Sequence, residues 1–180
     1  SHIDTQGILN AVVPEKDVDA LSARTVGDIS VGRAKMLSPV AASVAALFEK
    51  YNIGVRGKKA VVVGYGRLVG QPVSAWLLKN GAEVTIFTDE KLFNTDVLKN
   101  ADIIISGAGR PRLITNEHIK EGAIVVDVGT SEAGGEVVGD VDVESVADKA
   151  AYLTPHKGGV GPLTVAMVLK NLVELSVKGK

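Results

Sequence analysis

The fold of this chain is decided by the stretch Val61-Val62-Val63-Gly64-Tyr65-Gly66-Arg67-Leu68-Val69-Gly70. It joins a short β-branched run to a helix-forming segment through a turn with the spacing G-x-G-x-x-x-G. In a dinucleotide-binding unit, Gly64 permits the tight turn and Gly66 lets the backbone approach a pyrophosphate, while the helix N-terminus offers unpaired N–H groups. Because the spacing is one residue longer than the commonest form, a purely structural strand-to-helix turn is the alternative.

Outward from this turn, short apolar runs alternate with helix-forming segments. Such alternation predicts an α/β fold of the Rossmann type, a doubly wound and mostly parallel sheet covered on both faces. Up to Gly32 we expect mostly irregular chain, and Ser38-Pro39 then begins a helix, with serine as its N-cap. The predicted strands are 60–63, 83–87, 102–106, 123–128 and 152–154. The predicted helical segments are 7–12, 39–51, 70–80, 95–100, 145–149 and 162–177.

Composition excludes several classes of function. Hydrophobic residues make up 46% of the chain, enough for a sizeable core, and the net charge of −1 argues against nucleic-acid or anionic-membrane partners. Cysteine is absent, which excludes disulfides and thiolate chemistry and fits a cytoplasmic protein. The three histidines are far apart, so we expect no metal site. No membrane span is expected, since no apolar run approaches the roughly 18 residues required.

Three further stretches are candidates for the cofactor site. Asp89 follows the second predicted strand about 20 residues after the glycine turn, where an acidic residue binds the ribose 2′-hydroxyl in dinucleotide-binding folds; a solvated turn residue is the alternative. Gly107-Ala108-Gly109 follows the third strand and either leaves space for a ligand or forms an ordinary turn before Pro111. Gly158-Gly159-Val160-Gly161 precedes the last helix and indicates close backbone approach, or else a flexible connector.

Several motifs occur in the order found in one enzyme family. The chain resembles bifunctional methylenetetrahydrofolate dehydrogenase/cyclohydrolase over essentially its whole length, and the last motif is the most specific. The motifs are Pro14-Glu15-Lys16-Asp17-Val18-Asp19, the turn Gly64 to Gly70 with Gln71-Pro72, Asp127-Val128-Gly129, Val138-Gly139-Asp140-Val141, and Thr154-Pro155 with Gly158-Gly159-Val160-Gly161-Pro162-Leu163-Thr164-Val165-Ala166-Met167.

The resemblance implies an oxidoreductase of folate one-carbon metabolism that supports purine biosynthesis. Such enzymes transfer a hydride from 5,10-methylenetetrahydrofolate to NAD(P) and hydrolyse the methenyl product, and they suggest a homodimer. Asp19, Gly159 and Pro162 would then face the folate substrate, although Asp19 taken alone is more typical of a solvated loop residue. The residues assigned to the cofactor are Gly64, Tyr65, Gly66, Arg67, Val69, Gly70, Asp89, Gly107, Ala108, Gly109, Thr130 and Thr164.

Two departures from the family pattern concern the cofactor. Tyr65 stands where the family usually has an arginine, and Asp89 stands where it has a serine, and both family residues help to hold a 2′-phosphate. Their replacement predicts that NAD is preferred over NADP, with Arg67 as a cation that could still reach a phosphate.

The resemblance also suggests a division of the chain. Residues 1–38 would be the end of a substrate or catalytic domain that is otherwise absent, 39–51 a connecting helix, 52–161 the dinucleotide-binding domain, and 162–180 a C-terminal helix packing toward the absent domain. No residue matches the family's catalytic tyrosine and lysine, so we identify no catalytic residue and expect no turnover by this chain alone. The alternatives are a non-catalytic dinucleotide-binding module, including a split or degenerate family member, and an amino-acid or shikimate-type dehydrogenase that shares only the Rossmann unit.

Overall fold

A computed structural model describes residues 2–34, 36–133 and 135–177. The helix at Ala23–Ser30 and the hairpin of strands Ser131–Ala133 and Glu136–Val138 were not predicted. The helices are α1 (Thr5–Asn10), α2 (Ala23–Ser30), α3 (Pro39–Lys50), α4 (Gly70–Lys79), α5 (Thr95–Lys99), α6 (Val143–Val146) and α7 (Val160–Val177). The strands are β1 (Lys59–Val63), β2 (Glu83–Phe87), β3 (Ile103–Ser106), β4 (Ala123–Asp127), β5 (Ser131–Ala133), β6 (Glu136–Val138) and β7 (Ala150–Leu153).

The main sheet has five parallel strands in the order β2-β1-β3-β4-β7. Val63 at the end of β1 pairs with Phe87 on one side and with Ser106 on the other, and Ser106 pairs with Asp127. The carboxyl ends of these four strands therefore meet at one edge of the sheet. The strand order reverses at β1 and β3, and ligands bind in the crevice at such a switch point in open α/β sheets. The predicted Rossmann-type fold is confirmed.

The core lies on both faces of this sheet, as continuous apolar strands require. In β1, Ala60 and Val62 face the side of α3, α4 and α7, while Val61 and Val63 face the side of α5 and α6. Ile103, Ile104 and Ile105 of β3 alternate in the same way and have no exposed surface. Buried on both faces, β1 and β3 fix the position of the loops that follow them.

Helix α3 is a core helix on the first face. Ser38 is its N-cap and accepts a hydrogen bond from the Ala41 N–H at 3.4 Å, with Pro39 in the first turn, as predicted. Phe48 packs edge-on against Trp76 of α4, with ring centroids 5.5 Å apart. The proposed domain boundaries, including a connecting helix at 39–51, stay a prediction, and 178–180 lie outside the described residues.

Helix α7 packs along α3 but leaves much apolar surface uncovered. Buried Asn171 donates hydrogen bonds to the Val18 carbonyl at 2.9 Å and the Leu37 carbonyl at 3.0 Å. The helix is 18 residues long and by length and composition alone is apolar enough to cross a membrane. Lys170 and Glu174 interrupt the helix, so it is not a continuous apolar run, but the mean hydropathy of its 18 residues still reaches that of a span, a feature not predicted from the sequence.

The expectation of mostly irregular chain up to Gly32 was also wrong. Helix α2 forms despite Gly27 and several β-branched residues, because the Ser22 hydroxyl caps the Thr25 N–H at 3.2 Å. The antiparallel hairpin of β5 and β6 was missed, since three-residue strands show little alternation. The helical turn expected at 145–149 lies earlier, at α6, because Asp142 is its N-cap. The other predicted boundaries agree within two residues.

Candidate functional site

The glycine turn lies at the carboxyl edge of β1, in the crevice of the sheet. Gly64 adopts a φ of +87°, and its N–H donates to the Phe87 carbonyl at 2.8 Å. A Cβ on Gly64 would lie 2.5 Å from the Gly107 carbonyl oxygen, and one on Gly70 would collide with the Gly64 carbonyl oxygen. Both positions therefore require glycine for backbone packing alone.

Gly66 differs from these two glycines. A Cβ there would meet no atom within 4 Å, so nothing in the described chain demands glycine at this position. Helix α4 begins a few residues later with no side-chain cap on its first turn, and the Gln71 N–H donates to the Gly66 carbonyl at 3.1 Å. An uncapped helix N-terminus beside open space is the arrangement that binds a phosphate group.

A pocket of about 290 Å³ opens between the ends of β1, β2 and β3. Asp89 lines it, and its carboxylate also accepts a hydrogen bond from the Lys91 N–H at 2.9 Å, so the predicted site residue is at the same time a turn residue. The sequence reasoning missed Arg110, which also lines this pocket. The lining residues are Val63, Gly64, Phe87, Thr88, Asp89, Ala108, Arg110 and Leu113.

The loop Gly107-Ala108-Gly109 forms the far side of this pocket. The Gly107 N–H donates to the Val63 carbonyl at 2.8 Å, and a Cβ on Gly107 would collide with the side chain of Val69. Val69 thus packs this loop against the glycine turn, and its assignment to the cofactor stays a prediction. The structure brings the predicted residues Gly64, Asp89 and Ala108 together at one pocket.

Two buried carboxylates lie behind this loop, and the sequence reasoning assigned them no function. Asp140 accepts hydrogen bonds from the N–H groups of Ala108 at 2.6 Å and Arg110 at 2.8 Å. Asp127 in turn accepts the Asp140 N–H at 3.1 Å. Burial raises the pKa of the Asp127 carboxyl, and the neighbouring Asp140 carboxylate adds to that effect. Their motifs, Asp127-Val128-Gly129 and Gly139-Asp140, were the only signal in the sequence.

Tyr65 and Arg67 line a different pocket, of about 150 Å³, between the glycine turn and the segment that contains α2. Ala20, Ser38 and Gln71 are among the other lining residues. Arg67 and Asp89 therefore line different pockets. Tyr65 is exposed there, at 43% of its full surface.

The predicted substrate residues are not brought together. Gly159 and Pro162 line an apolar pocket of about 630 Å³ beside Phe48, Tyr51 and Tyr152. Asp19 is exposed in the turn after residues 14–16 and lines none of the described pockets. Its neighbour Asp17 is buried instead. Burial alone would raise the pKa of Asp17, but hydrogen bonds from Ser22, Leu21 and Thr25 together lower it.

The two threonines assigned to the cofactor occupy different settings. Thr130 is exposed just after β4, close in sequence to Asp127 at the carboxyl edge. The Thr164 hydroxyl donates to the Val160 carbonyl at 3.0 Å and accepts from Ser43 at 3.4 Å, which links α7 to α3. His156 and Lys157 are exposed. Within the described ranges, no group of three or more His, Asp or Glu residues could hold a metal ion.

Residues 38–180 match the family described as tetrahydrofolate dehydrogenase/cyclohydrolase, NAD(P)-binding domain. The bifunctional protein FolD of Moorella thermoacetica is 45% identical over 174 residues and that of Agathobacter rectalis 41% over 174 residues. Each alignment covers 96% of this chain and 62% of the relative, so the chain spans about three fifths of the length of the curated relatives it matches.

Solved structures agree with these sequence matches. The bifunctional enzyme FolD from Campylobacter jejuni superposes with a TM-score of 0.93 at 37% identity, covering 100% of this chain and 64% of that chain. FolD from Trypanosoma brucei, complexed with NADP cofactor and inhibitor, gives a TM-score of 0.91 at 36% identity, covering 99% and 64%. The chain therefore belongs to the tetrahydrofolate dehydrogenase/cyclohydrolase family, and residues 38–180 are its NAD(P)-binding domain.

Proposed function

We propose that this chain provides the dinucleotide site of an enzyme that oxidises 5,10-methylenetetrahydrofolate and hydrolyses the methenyl product to 10-formyltetrahydrofolate. The observation that carries the proposal is the open, uncapped cradle at Gly66 and the N-terminus of α4, at the switch point of the sheet. Family membership supports the folate chemistry. The relatives are named as bifunctional FolD proteins, and the Trypanosoma brucei enzyme binds NADP.

The residues of the crevice fit a dinucleotide in named roles. When bound, the nicotinamide ring supplies the acceptor for the hydride that leaves the methylene carbon. The backbone at Gly66 and the Gly70 N–H at the start of α4 would bind the pyrophosphate, because the positive end of the helix dipole favours an anion. The next two residues of this turn add no donor, since the Gln71 N–H donates to the Gly66 carbonyl and Pro72 has no N–H. Asp89 would accept a hydrogen bond from a ribose hydroxyl.

Replacing Gly66 tests the cradle directly. Gly66→Val adds a branched side chain in open space, so we expect the fold to persist and the affinity for dinucleotide to fall sharply. Gly54→Val is the matched control, since Gly54 is equally open and lies in the loop after α3. Isothermal titration with NAD and NADP measures both variants. Unchanged affinity in Gly66→Val, with wild-type circular dichroism, would refute the proposed cradle.

We further propose that NAD is preferred over NADP. The Asp89 carboxylate would face a 2′-phosphate with like charge, and Tyr65 offers no cation. Arg67 lines the opposite pocket, which supports the preference, whereas Arg110 lines the Asp89 pocket and favours the phosphate. A lost charged hydrogen bond of about 1.5–3 kcal/mol corresponds to roughly 10- to 150-fold in affinity.

Titrating both nucleotides against two variants separates these contributions. Asp89→Ser should reduce the ratio of NAD affinity to NADP affinity, because the repulsion is removed. Arg110→Ala should increase the same ratio if its guanidinium attracts the phosphate. Tighter binding of NADP than NAD by the wild-type protein would contradict the preference.

A dinucleotide-binding module without turnover is the second candidate. No residue of this chain is assigned as the acid or base of the hydrolysis. His156 and Lys157 are the candidates beside the glycine-rich stretch that begins at Gly158, and both are exposed. We expect the purified chain to bind the nucleotide and to form no reduced cofactor from methylenetetrahydrofolate. Substantial turnover would reject this candidate, and His156→Ala and Lys157→Ala would then be the first variants to assay.

We also propose a cytoplasmic homodimer that supports purine biosynthesis and has no nucleic-acid or membrane partner. The net charge of −1 supports the absence of nucleic-acid binding. The hydrogen bonds of Asn171 in α7 to Val18 and Leu37 support docking of that helix on the protein. Sedimentation equilibrium tests the homodimer, salt-dependent DNA binding tests the absence of a nucleic-acid partner, and flotation with anionic vesicles tests the absence of a membrane partner.

A further inference from the structure

Asp140 is a fully buried carboxylate whose hydrogen-bonding capacity is directed at one loop. It has no exposed surface. Three consecutive backbone N–H groups and one hydroxyl converge on it. The donors are Ser106 Oγ at 2.8 Å, the Ala108 N–H at 2.6 Å, the Gly109 N–H at 3.3 Å and the Arg110 N–H at 2.8 Å.

A second carboxylate holds Asp140 itself in place. Asp127, at the end of β4, accepts hydrogen bonds from the N–H groups of Asp140 at 3.1 Å, Val141 at 3.0 Å and Gly129 at 2.9 Å. Asp127 is 4% exposed, so the two acidic side chains lie next to each other away from water. The loops after β3 and β4 are thereby joined by one chain of charged hydrogen bonds.

Two glycines leave room for this pair. A Cβ on Gly129 would collide with the Asp140 carboxylate, and a Cβ on Gly139 would collide with an Asp127 carboxylate oxygen. The two carboxylates fill the space that a side chain would need at Gly129 or Gly139, which explains why both positions are glycine. Neither glycine lines the pocket that contains Asp89.

We propose that Asp140, supported by Asp127, is a positioning residue for the dinucleotide site, an inference that rests on the proposed function. The loop that it holds supplies Ala108 and Arg110 to the Asp89 pocket and Gly107 to the contact with Val69. A carboxylate suits this task because it accepts from several donors and offers none, whereas an amide in its place would point a donor at another donor. Asp140 touches the loop rather than the ligand.

Asp140→Asn tests the proposal because it conserves shape and removes the charge. In the wild type, Oδ2 accepts three of the four hydrogen bonds and Oδ1 accepts the fourth, from the Arg110 N–H. Whichever of these oxygens the asparagine NH₂ group replaces, it faces a donor instead of an acceptor. We expect the dissociation constant for NAD to rise about tenfold or more, as the loss of a charged hydrogen bond implies. Amide hydrogen exchange at Ala108, Gly109 and Arg110 should accelerate.

Asp102→Asn is the matched control, because Asp102 also accepts a backbone N–H, from Lys59 at 2.8 Å, but precedes β3 at the opposite edge of the sheet. It should lose some stability and keep the wild-type affinity for NAD. A merely structural role of Asp140 predicts that both variants lose stability and that both keep this affinity below their unfolding temperatures. That outcome would overturn the inference.

A milder variant keeps the test informative if Asp140→Asn does not fold. Ser106→Ala removes one of the four hydrogen bonds and should raise the NAD dissociation constant about two- to fivefold, a fraction of the effect of a full charged hydrogen bond. Unchanged affinity in a folded Ser106→Ala protein would overturn the inference in that case. Wild-type protein that binds neither NAD nor NADP would instead reject the proposed function.

Discussion

Substituting Gly64 by alanine should unfold the chain at a markedly lower denaturant concentration. Gly64 has a φ of +87°, a conformation that costs an L-residue roughly 1–2 kcal/mol. Its new Cβ would also lie 2.5 Å from the Gly107 oxygen and 2.8 Å from the Gly107 carbonyl carbon, which are backbone atoms that cannot rotate away. Overpacking of this kind costs typically about 1–3 kcal/mol.

The two costs together amount to roughly 2–5 kcal/mol, a large part of the ~5–15 kcal/mol by which native proteins are stable. At roughly 2–4 °C per kcal/mol for a chain of this size, the melting temperature should fall by about 4–20 °C. Two other glycines separate the contributions. Gly109 has a φ of +66° but open space around it, so Gly109→Ala should show only the conformational cost. Gly66→Ala meets neither obstacle and should stay within about 0.5 kcal/mol of wild type.

Urea unfolding followed by far-ultraviolet circular dichroism measures all three variants under one set of conditions. The expected order of midpoints is Gly66→Ala highest, Gly109→Ala intermediate and Gly64→Ala lowest. Equal midpoints for Gly64→Ala and Gly66→Ala would refute the reasoning, because the packing of the turn against Gly107 would then carry no energy. Such a result would also remove the distinction between glycines needed for packing and the glycine left open for a ligand.

Three further substitutions have definite expected results. Asn171→Ala removes the amide that bridges the part-buried carbonyls of Val18 and Leu37 and should cost about 1–3 kcal/mol in urea unfolding; a loss below about 0.5 kcal/mol would contradict the bridging role. Leu98→Ala truncates a side chain with no exposed surface and should cost about 2–5 kcal/mol in the same assay, whereas a near-neutral effect would mean that the site collapses. Asp102→Asn should cost about 0.5–1 kcal/mol at neutral pH, because the hydrogen bond from Lys120 lowers the pKa of the partly exposed Asp102. A lowered folded-state pKa gives stability that is present above the ordinary value of 3.8 and is lost as pH falls, so wild type and variant should converge in acid; a constant difference down to the lowest pH would exclude this linkage.

The sequence predicted the parts of the fold that local pattern determines. The strands β1 and β3 are buried on both faces, so their apolar runs are continuous and easy to recognise. Helix α2 was missed because its residues favour a helix only weakly. The buried Ser22 cap that stabilises it can be recognised only in the folded structure. The short hairpin of β5 and β6 was missed because it carries no period-2 pattern.

The candidate site was predictable to the same extent. The glycine turn and Asp89 could be selected as candidates because dinucleotide sites constrain residue type at fixed spacing along the chain, and Gly64 and Asp89 do line one pocket. The role of Asp140 was not predicted, because the N–H groups that donate hydrogen bonds to it belong to residues about thirty positions earlier in the chain. These residues come close to Asp140 only because β3 and β4 are neighbours in the sheet. Arg110 was missed for a related reason, since nothing local indicates that it lines the pocket of Asp89.

The way in which the carboxylates hold the loop bears on how the site binds. Asp140 accepts hydrogen bonds from three consecutive amides of the loop after β3, and Asp127 accepts one from the Asp140 N–H, so contacts within the chain itself hold this loop. Ordering a flexible loop on binding would weaken affinity, and a loop fixed in advance avoids that loss. The two buried charges carry a cost of their own, seen in the raised pKa of Asp127. At the proposed site, some stability of the fold is therefore exchanged for a pocket whose far wall is held by carboxylates of the chain itself.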